Sequence, residues 1–186
     1  MNEPAVSIIE SKSKARQIKS LAVGEFVARH GKHLHLELEG VDAGGDRKIL
    51  EPSINRPGLA LAGFYFYFAY KRVQVLGNSE FAYLTTLNEA AQRTAFETMC
   101  RSEIPCLVTC RGRHLPPHLV AMANASGVNV YRSTLNTIRF INVCTLWLEW
   151  DFAPQTSEHG CMVDVKAPAS SPSFIDQITS PSFESR

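Results

Sequence analysis

Hydrophobic and polar positions change their spacing several times along the chain, and each change predicts an element. Apolar residues recur at helical spacing over 23–27 and Gly31 follows them, which predicts a helix capped by glycine. Positions 33–39 then alternate, with three leucines on one face and two histidines and a glutamate on the other. Such alternation predicts a half-buried strand, and a short apolar run at 48–50 predicts another.

The middle of the chain predicts two helices separated by a strand. Pro57 precedes apolar residues at 59–64, and because proline suits the first helical turn, the pattern predicts a short buried helix. Residues 73–76 form a compact apolar run that predicts a strand. Thr86 and Glu89 have the spacing of a capping box, which predicts that a longer helix follows.

The second half of the chain alternates regularly between strand and helix patterns. Residues 105–109 and 128–131 predict strands, and residues 116–127 and 133–150 predict the helices that follow them. This βαβα order implies neighbouring parallel strands joined by right-handed crossovers. The predicted fold class is therefore α/β, a small mixed or parallel sheet with flanking helices.

The composition at the two ends differs from that of the middle. Residues 1–18 are polar with mixed charge and predict a flexible leader, whereas residues 19–152 predict one domain. Residues 159–165 have the pattern of a further strand. Residues 166–186 are rich in alanine, serine and proline, which predicts a disordered tail because so few apolar groups cannot offset the entropy of ordering.

Bulk composition narrows the function classes. Hydrophobic residues make up 45% of the chain and charged residues 20%. The 19 basic and 18 acidic residues are interspersed and give a net charge of +1, so nucleic acid and anionic membranes are not the expected partners. The apolar stretch 59–69 is about half the length of a membrane span, and the N terminus lacks a secretory pattern, so we expect a cytoplasmic protein. The five cysteines form no CxxC pair and are interpreted as buried small hydrophobes.

Two loops could bind an anion. In open α/β sheets ligands collect beyond the carboxyl ends of the strands, where helix N termini carry partial positive charge. The loops that follow the strands ending at residues 109 and 131 supply the candidates Arg111, Arg113, Arg132, Ser133 and Thr134. The alternative is that Ser133 caps its helix and the arginines are solvated, and the sequence favours this second interpretation.

Metal binding and catalysis find little support among the residue patterns. His33 and His35 share a strand face without a cysteine or carboxylate at ligand spacing, and two prolines separate His114 from His118. We therefore predict no metal site. The GxSxG, HExxH and GxGxxG motifs are absent from the sequence, so the residues alone suggest no catalytic set.

Aromatic residues could mark surfaces or a core. The run at 64–68 and the pair Trp147 and Trp150 fall in segments that the patterns predict to be buried, so structural packing is the favoured interpretation. The final predicted helix nevertheless carries apolar residues on several faces between 140 and 150, more than one sheet can cover. We therefore expect a partner surface or a second domain there, with the two tryptophans as interface candidates.

A long ungapped stretch resembles one protein family. Ile54-Asn55-Arg56-Pro57-Gly58-Leu59-Ala60-Leu61-Ala62-Gly63-Phe64 is similar to the central motif in the amino-terminal domain of HPr kinase/phosphorylase. Within it, Asn55, Arg56, Pro57, Gly58 and Gly63 are the motif positions. Further similarity covers 72–77, 105–109, 130–133 and 153–160, and in total the resemblance extends from about residue 20 to 165.

The resemblance implies a fold and an activity. It implies an α/β amino-terminal domain similar to that of muramyl ligases, then a connecting helix and a P-loop kinase domain, assembled as a hexamer. Complete family members use ATP or pyrophosphate with magnesium, phosphorylate a serine of the phosphocarrier HPr, reverse that reaction by phosphorolysis, and regulate carbon metabolism. Residues 153–165 would then be the truncated start of the kinase domain, where His159 matches an active-site histidine.

The sequence departs from the family pattern at the catalytic loop. No GxxxxGK[ST] segment follows His159, and residues 165–172 read Val-Lys-Ala-Pro-Ala-Ser-Ser-Pro instead. We therefore expect a regulatory or assembly domain that has no cofactor and no activity of its own. Its expected partners are a second copy, a kinase domain, or HPr through a complete enzyme. The alternative is a freestanding module that binds a small anion or a nucleotide.

Overall fold

The computed structural model describes residues 18–154, which form seven strands and six helices. The strands are β1 Leu21–Ala22, β2 Leu36–Glu39, β3 Lys48–Ile49, β4 Ile54–Asn55, β5 Val73–Leu76, β6 Cys106–Thr109 and β7 Asn129–Ser133. The helices are α1 Val23–His30, α2 Gly58–Leu61, α3 Asn78–Thr86, α4 Glu89–Arg101, α5 Pro117–Ala125 and α6 Thr137–Phe152.

The main sheet has five strands in the order β2-β7-β6-β5-β4. Strands β4 to β7 are parallel to one another, and β2 joins the β7 edge in antiparallel orientation. Strands β1 and β3 form a separate antiparallel pair. The α/β class with a small mixed sheet is therefore confirmed.

Helices cover both faces of the sheet. On one face, α1 and α6 pack on residues such as Val75 and Val108, and Phe140 of α6 is fully buried there. On the other face, α3, α4 and α5 pack on Leu76 and Leu107, with Phe96 at the centre. Strands buried on both faces read as continuous apolar runs, which is why the sequence of β5 and β6 does not alternate.

The helix starts near residue 88 differ from the prediction. Helix α3 was not predicted, and Thr86 lies at its end instead of opening the next helix. Asn88 is the N-cap of α4, since its Oδ1 accepts a hydrogen bond of 2.9 Å from the backbone N–H of Ala91. Asparagine satisfies a free N–H at a helix start as well as threonine does, and Thr86 is not available for this role because it is the last residue of α3.

The start of α6 is also later than predicted. Strand β7 continues through Ser133, which pairs with Leu36 of β2, so the chain is still extended where the sequence predicted a helix. Asn136 caps α6 by accepting 2.9 Å from the Arg139 N–H. The antiparallel edge strand, which local patterns could not place beside β7, therefore decides this boundary.

The aromatic run at 64–68 is mostly on the surface, contrary to the packing interpretation. Phe64, Phe66 and Tyr67 are 55%, 77% and 85% exposed. Only Tyr65 and Phe68 pack against the core under α4, and the Tyr65 hydroxyl donates to the Ala95 carbonyl at 3.1 Å. The segment is a surface loop that follows the single turn of α2, and these three side chains are left in solvent.

The described cysteines are buried, as the sequence predicted. They are Cys100, Cys106, Cys110 and Cys144. Burial raises the pKa of both Cys100 and Cys106 to about 12, so these thiols stay protonated at neutral pH. Cys161, His159, the predicted strand 159–165, the tail 166–186 and residues 1–17 of the predicted leader lie outside the described residues.

Candidate functional site at the carboxyl edge of the sheet

The motif residue Asn55 joins β4 to β5 through its side chain. Its Nδ2 donates to Oε1 of Gln74 at 2.7 Å, and Gln74 is fully buried in β5. The Gln74 amide also donates to the carbonyls of Ala69 and Arg72, at 2.9 and 2.7 Å. Asn55 therefore takes part in a buried polar network that holds the short edge strand and the preceding loop in register.

Arg56 reaches from the end of β4 to the start of α3. Its Nη2 donates to Oε2 of Glu80 at 2.9 Å and to the hydroxyl of Ser79 at 3.1 Å. Glu80 is only 4% exposed, and the same oxygen accepts 2.8 Å from the Gly77 N–H that begins the helix. The carboxylate thus caps α3 and is neutralised by Arg56, which leaves little net charge at this point.

The other motif positions shape the turn from β4 into α2. Pro57 is buried and precedes the helix, and Gly58 is its first residue. Gly63 has φ +92, a backbone conformation that residues with a Cβ rarely adopt, and it reverses the chain after the helix. These three positions therefore have a structural role in the described domain.

A close approach of α6 completes this edge. A Cβ at Gly77 would lie 2.9 Å from Thr137 Oγ1, so only glycine fits between the end of β5 and the start of α6. Cys110 directly follows β6 and lies beside the same threonine. Burial is the main reason that its pKa rises to about 11, against the opposing hydrogen bond to Thr137. The protonated thiol is a poor nucleophile at neutral pH.

The loop after β6 turns sharply. Arg111 and Gly112 have φ of 63 and 67, and their N–H groups donate to the carbonyls of Leu135 and Ser133, both at 2.8 Å. The Arg111 side chain is exposed, while the Arg113 guanidinium lies 5.4 Å from the ring centre of Phe81. The side chains of Arg111 and Arg113 therefore lie in different environments.

The three candidates from the next loop have partners elsewhere. Arg132 pairs with Glu37 on the α5 face of the sheet. The buried Ser133 hydroxyl donates 2.6 Å to the Leu34 carbonyl, and Thr134 Oγ1 lies 2.9 Å from His35 Nδ1. The five predicted side chains thus do not share one cradle, and anion binding by any of them stays a prediction.

A second polar cluster, which the sequence analysis missed, lies between α1 and α6. The carboxylate of Asp151 is buried, with its Oδ2 2.9 Å from His30 Nε2 and its Oδ1 accepting 3.1 Å from Arg29 Nη1. Trp147 stacks on His30 at 4.5 Å between ring centres and on His33 at 5.3 Å. These residues are more than 100 positions apart in the sequence, so no local pattern could have brought them together.

The exposed side of α6 differs from the side that holds this cluster. Trp150, Leu146 and Ile138 are 70%, 65% and 74% exposed and lie at helical spacing along one face, which we call the α6 outer face. Trp147 is half-buried within the chain's own contacts. Of the two tryptophans predicted as interface candidates, Trp150 is therefore the one whose side chain is largely exposed to solvent.

Metal and membrane features were searched within residues 18–154. No group of three or more His, Cys, Asp or Glu side chains in that range is placed to hold a metal ion. None of the helices described for the chain is long and apolar enough to cross a membrane.

Comparison with known proteins gives the family. The sequence matches the family described as HPr Serine kinase N terminus over residues 21–148. The chain belongs to this family. The matched range begins at β1, includes the motif residues 55–63 and ends within α6, so it coincides with the described domain.

Curated relatives of this HPr Serine kinase N terminus chain carry the name HPr kinase/phosphorylase. The protein from Chloroherpeton thalassium is 37% identical over 159 residues, which are 84% of this chain and 47% of the relative. The protein from Chlorobium limicola is 36% identical over 82% of this chain and 47% of its own length. The protein from Bacillus pumilus is 35% identical over 72% of this chain and 43% of the relative. The chain thus spans about half the length of the curated relatives it matches.

One solved structure is weakly similar to this HPr Serine kinase N terminus domain. It is the crystal structure of the CBS and DRTGG domains of the regulatory region of Clostridium perfringens pyrophosphatase, complexed with the activator diadenosine tetraphosphate. The TM-score is 0.48 at 8% identity, covering 67% of this chain and 48% of that one. Similarity at this level supports no functional inference.

Proposed function

We propose that this chain is a regulatory or assembly domain of the HPr kinase/phosphorylase type, which acts in the cytoplasm in the control of HPr phosphorylation. The family match over the whole described domain supports the type of protein. The motif residues Asn55 and Arg56 form hydrogen bonds within the domain, to Gln74 and Glu80, and so are not free to act on a substrate. A role in assembly is therefore better supported than a role in chemistry.

The α6 outer face carries this proposal. Ile138, Leu146 and Trp150 are exposed along one face of a helix whose opposite side is buried against the sheet, and exposed apolar patches are typical of protein–protein interaction surfaces. Covering about 400 Å² of apolar surface is worth roughly 10 kcal/mol, and association costs about 4–15 kcal/mol. The gain and the cost are comparable, and the polar side chains of Asn142 and Glu149 share the same face, so we expect micromolar rather than nanomolar self-association.

The domain alone is expected to transfer no phosphate. Phosphoryl transfer depends on a loop and magnesium that together hold the phosphates and neutralise their charge, and the sequence contains no GxxxxGK[ST] segment. Incubating the purified chain with HPr, labelled ATP and magnesium should give no more labelled HPr than a blank without enzyme. The protein from Chloroherpeton thalassium serves as the positive control. Magnesium-dependent labelling of HPr by the chain itself would contradict the proposal.

A further inference from the structure

The exposed positions of α6 have the spacing of a helix that packs against a second helix. Steps of three and four residues alternate along such a helix, so that one line of side chains faces the partner. Four exposed residues of the α6 outer face lie at these steps, namely Arg139, Asn142, Leu146 and Glu149. Ile138 and Trp150, which are also exposed, lie on the two flanks of this line.

The two charges on this line oppose the dipole of α6. A helix favours acidic side chains in its first turn and basic ones in its last turn. Helix α6 has the reverse order, since Arg139 is its third residue and Glu149 lies in its last turn. Neither residue takes part in an ion pair within residues 18–154. The stability of the helix itself therefore does not explain where these charges lie.

A second copy of the chain supplies the missing partners for both charges. When two α6 helices pack antiparallel about a two-fold axis, Arg139 of each copy faces Glu149 of the other, and Asn142 faces Leu146. The symmetry makes the ion pair occur twice. In a parallel arrangement Arg139 would face Arg139 and Glu149 would face Glu149, so that both charged contacts would be repulsive.

We propose that the α6 outer face binds the α6 outer face of a second copy in antiparallel orientation, with Arg139 of each copy against Glu149 of the other. This inference rests on the assembly role proposed above and adds the orientation of the two helices and the residues that select it. Ile138 and Trp150 flank the ion pairs and exclude water from them, which strengthens the attraction.

Charge reversal on α6 tests the orientation by sedimentation velocity of the full chain between about 1 and 100 µM. Arg139→Glu and Glu149→Arg should each weaken self-association at least about tenfold, because two attractive contacts become two repulsive ones. The double variant Arg139→Glu and Glu149→Arg should restore the wild-type affinity to within about threefold, since both pairs form again with their charges exchanged.

Mixing the two single variants gives a second rescue. One chain then carries acidic residues at both positions and the other carries basic residues at both, so an equimolar mixture should associate although neither variant does so alone. The matched controls are Arg101→Glu and Glu97→Arg, which make the same changes of net charge on exposed positions of α4 and should associate as the wild type does. Each reversal on α6 agrees with the helix dipole, so circular dichroism should show no loss of helix.

The outcomes separate this inference from the assembly role on which it rests. A wild-type chain that associates, while the single reversals leave its affinity unchanged or the double variant fails to restore it, would overturn the antiparallel orientation and leave assembly through α6 standing. A wild-type chain that stays monomeric would overturn both, because the face would then have another occupant. Loss of association in the single variants with rescue in both the double variant and the mixture is the result that we expect.

Discussion

Replacing Phe140 by alanine is expected to destabilise the domain by about 4 kcal/mol, which corresponds to a fall in melting temperature of roughly 14 °C. The ring is fully buried where α6 crosses the sheet, beside Val75 and Val108. Removing it deletes apolar contacts and leaves a cavity, since the strands beneath cannot move inward without breaking the sheet. Urea unfolding followed by circular dichroism measures the loss.

The same helix provides the control for this variant. Ile138 is 74% exposed, so Ile138→Ala should change the free energy of unfolding by no more than about 0.5 kcal/mol. Phe96→Ala on the opposite face of the sheet should cost as much as Phe140→Ala, because Phe96 is also fully buried. A loss below about 1 kcal/mol for Phe140→Ala would contradict the two-sided core.

Asp151→Ala is expected to cost about 3 kcal/mol, because it leaves the buried His30 without the partner of its Nε2. Breaking one side of a buried pair costs about 3–5 kcal/mol, and the value falls at the low end here since Arg29 is half exposed and can turn to water. The loss should appear as weaker protection of α1 and α6 amides in hydrogen exchange, because the carboxylate joins these two helices.

Glu25→Ala is the matched control for Asp151→Ala. Glu25 also pairs with Arg29, but both side chains are about half exposed, so the pair should contribute at most about 1 kcal/mol. Asp151→Asn, which keeps the shape and one acceptor, should fall between the two. Equal effects of Glu25→Ala and Asp151→Ala would show that burial of the carboxylate has no energetic importance.

The sequence predicts the regular part of the fold because its signals are local. The apolar runs at 105–109 and 128–131, with Pro116 and Pro117 between them, predict the β6–α5–β7 unit. The structure confirms that β6 and β7 are parallel neighbours. The antiparallel position of β2 depends on pairing with a strand almost 100 residues away, as in Leu36 with Ser133, and no local pattern encodes it. The start of α6 was misplaced for this reason.

The candidate site was predictable only in its motif. Asn55 and Arg56 were identified from a resemblance. Their neighbour Glu80, which pairs with Arg56, carries a local signal, since it lies three residues after Gly77, the N-cap of α3. That spacing is typical of a helix-capping carboxylate. The Asp151 cluster and the ion pairs of Glu39 with His114 and Arg132 depend on tertiary placement, which residue spacing cannot reveal.

Sedimentation velocity of the chain tests the assembly proposal most directly. Between about 1 and 100 µM, a range that brackets micromolar affinity, the wild type should shift from monomer to a larger species. The double variant Leu146→Ser and Trp150→Ser should stay monomeric and folded, because both side chains are largely exposed in the described domain. Trp147 is left intact, since its stacking on His30 is part of the fold. A wild-type chain that is strictly monomeric over this whole range would contradict the account.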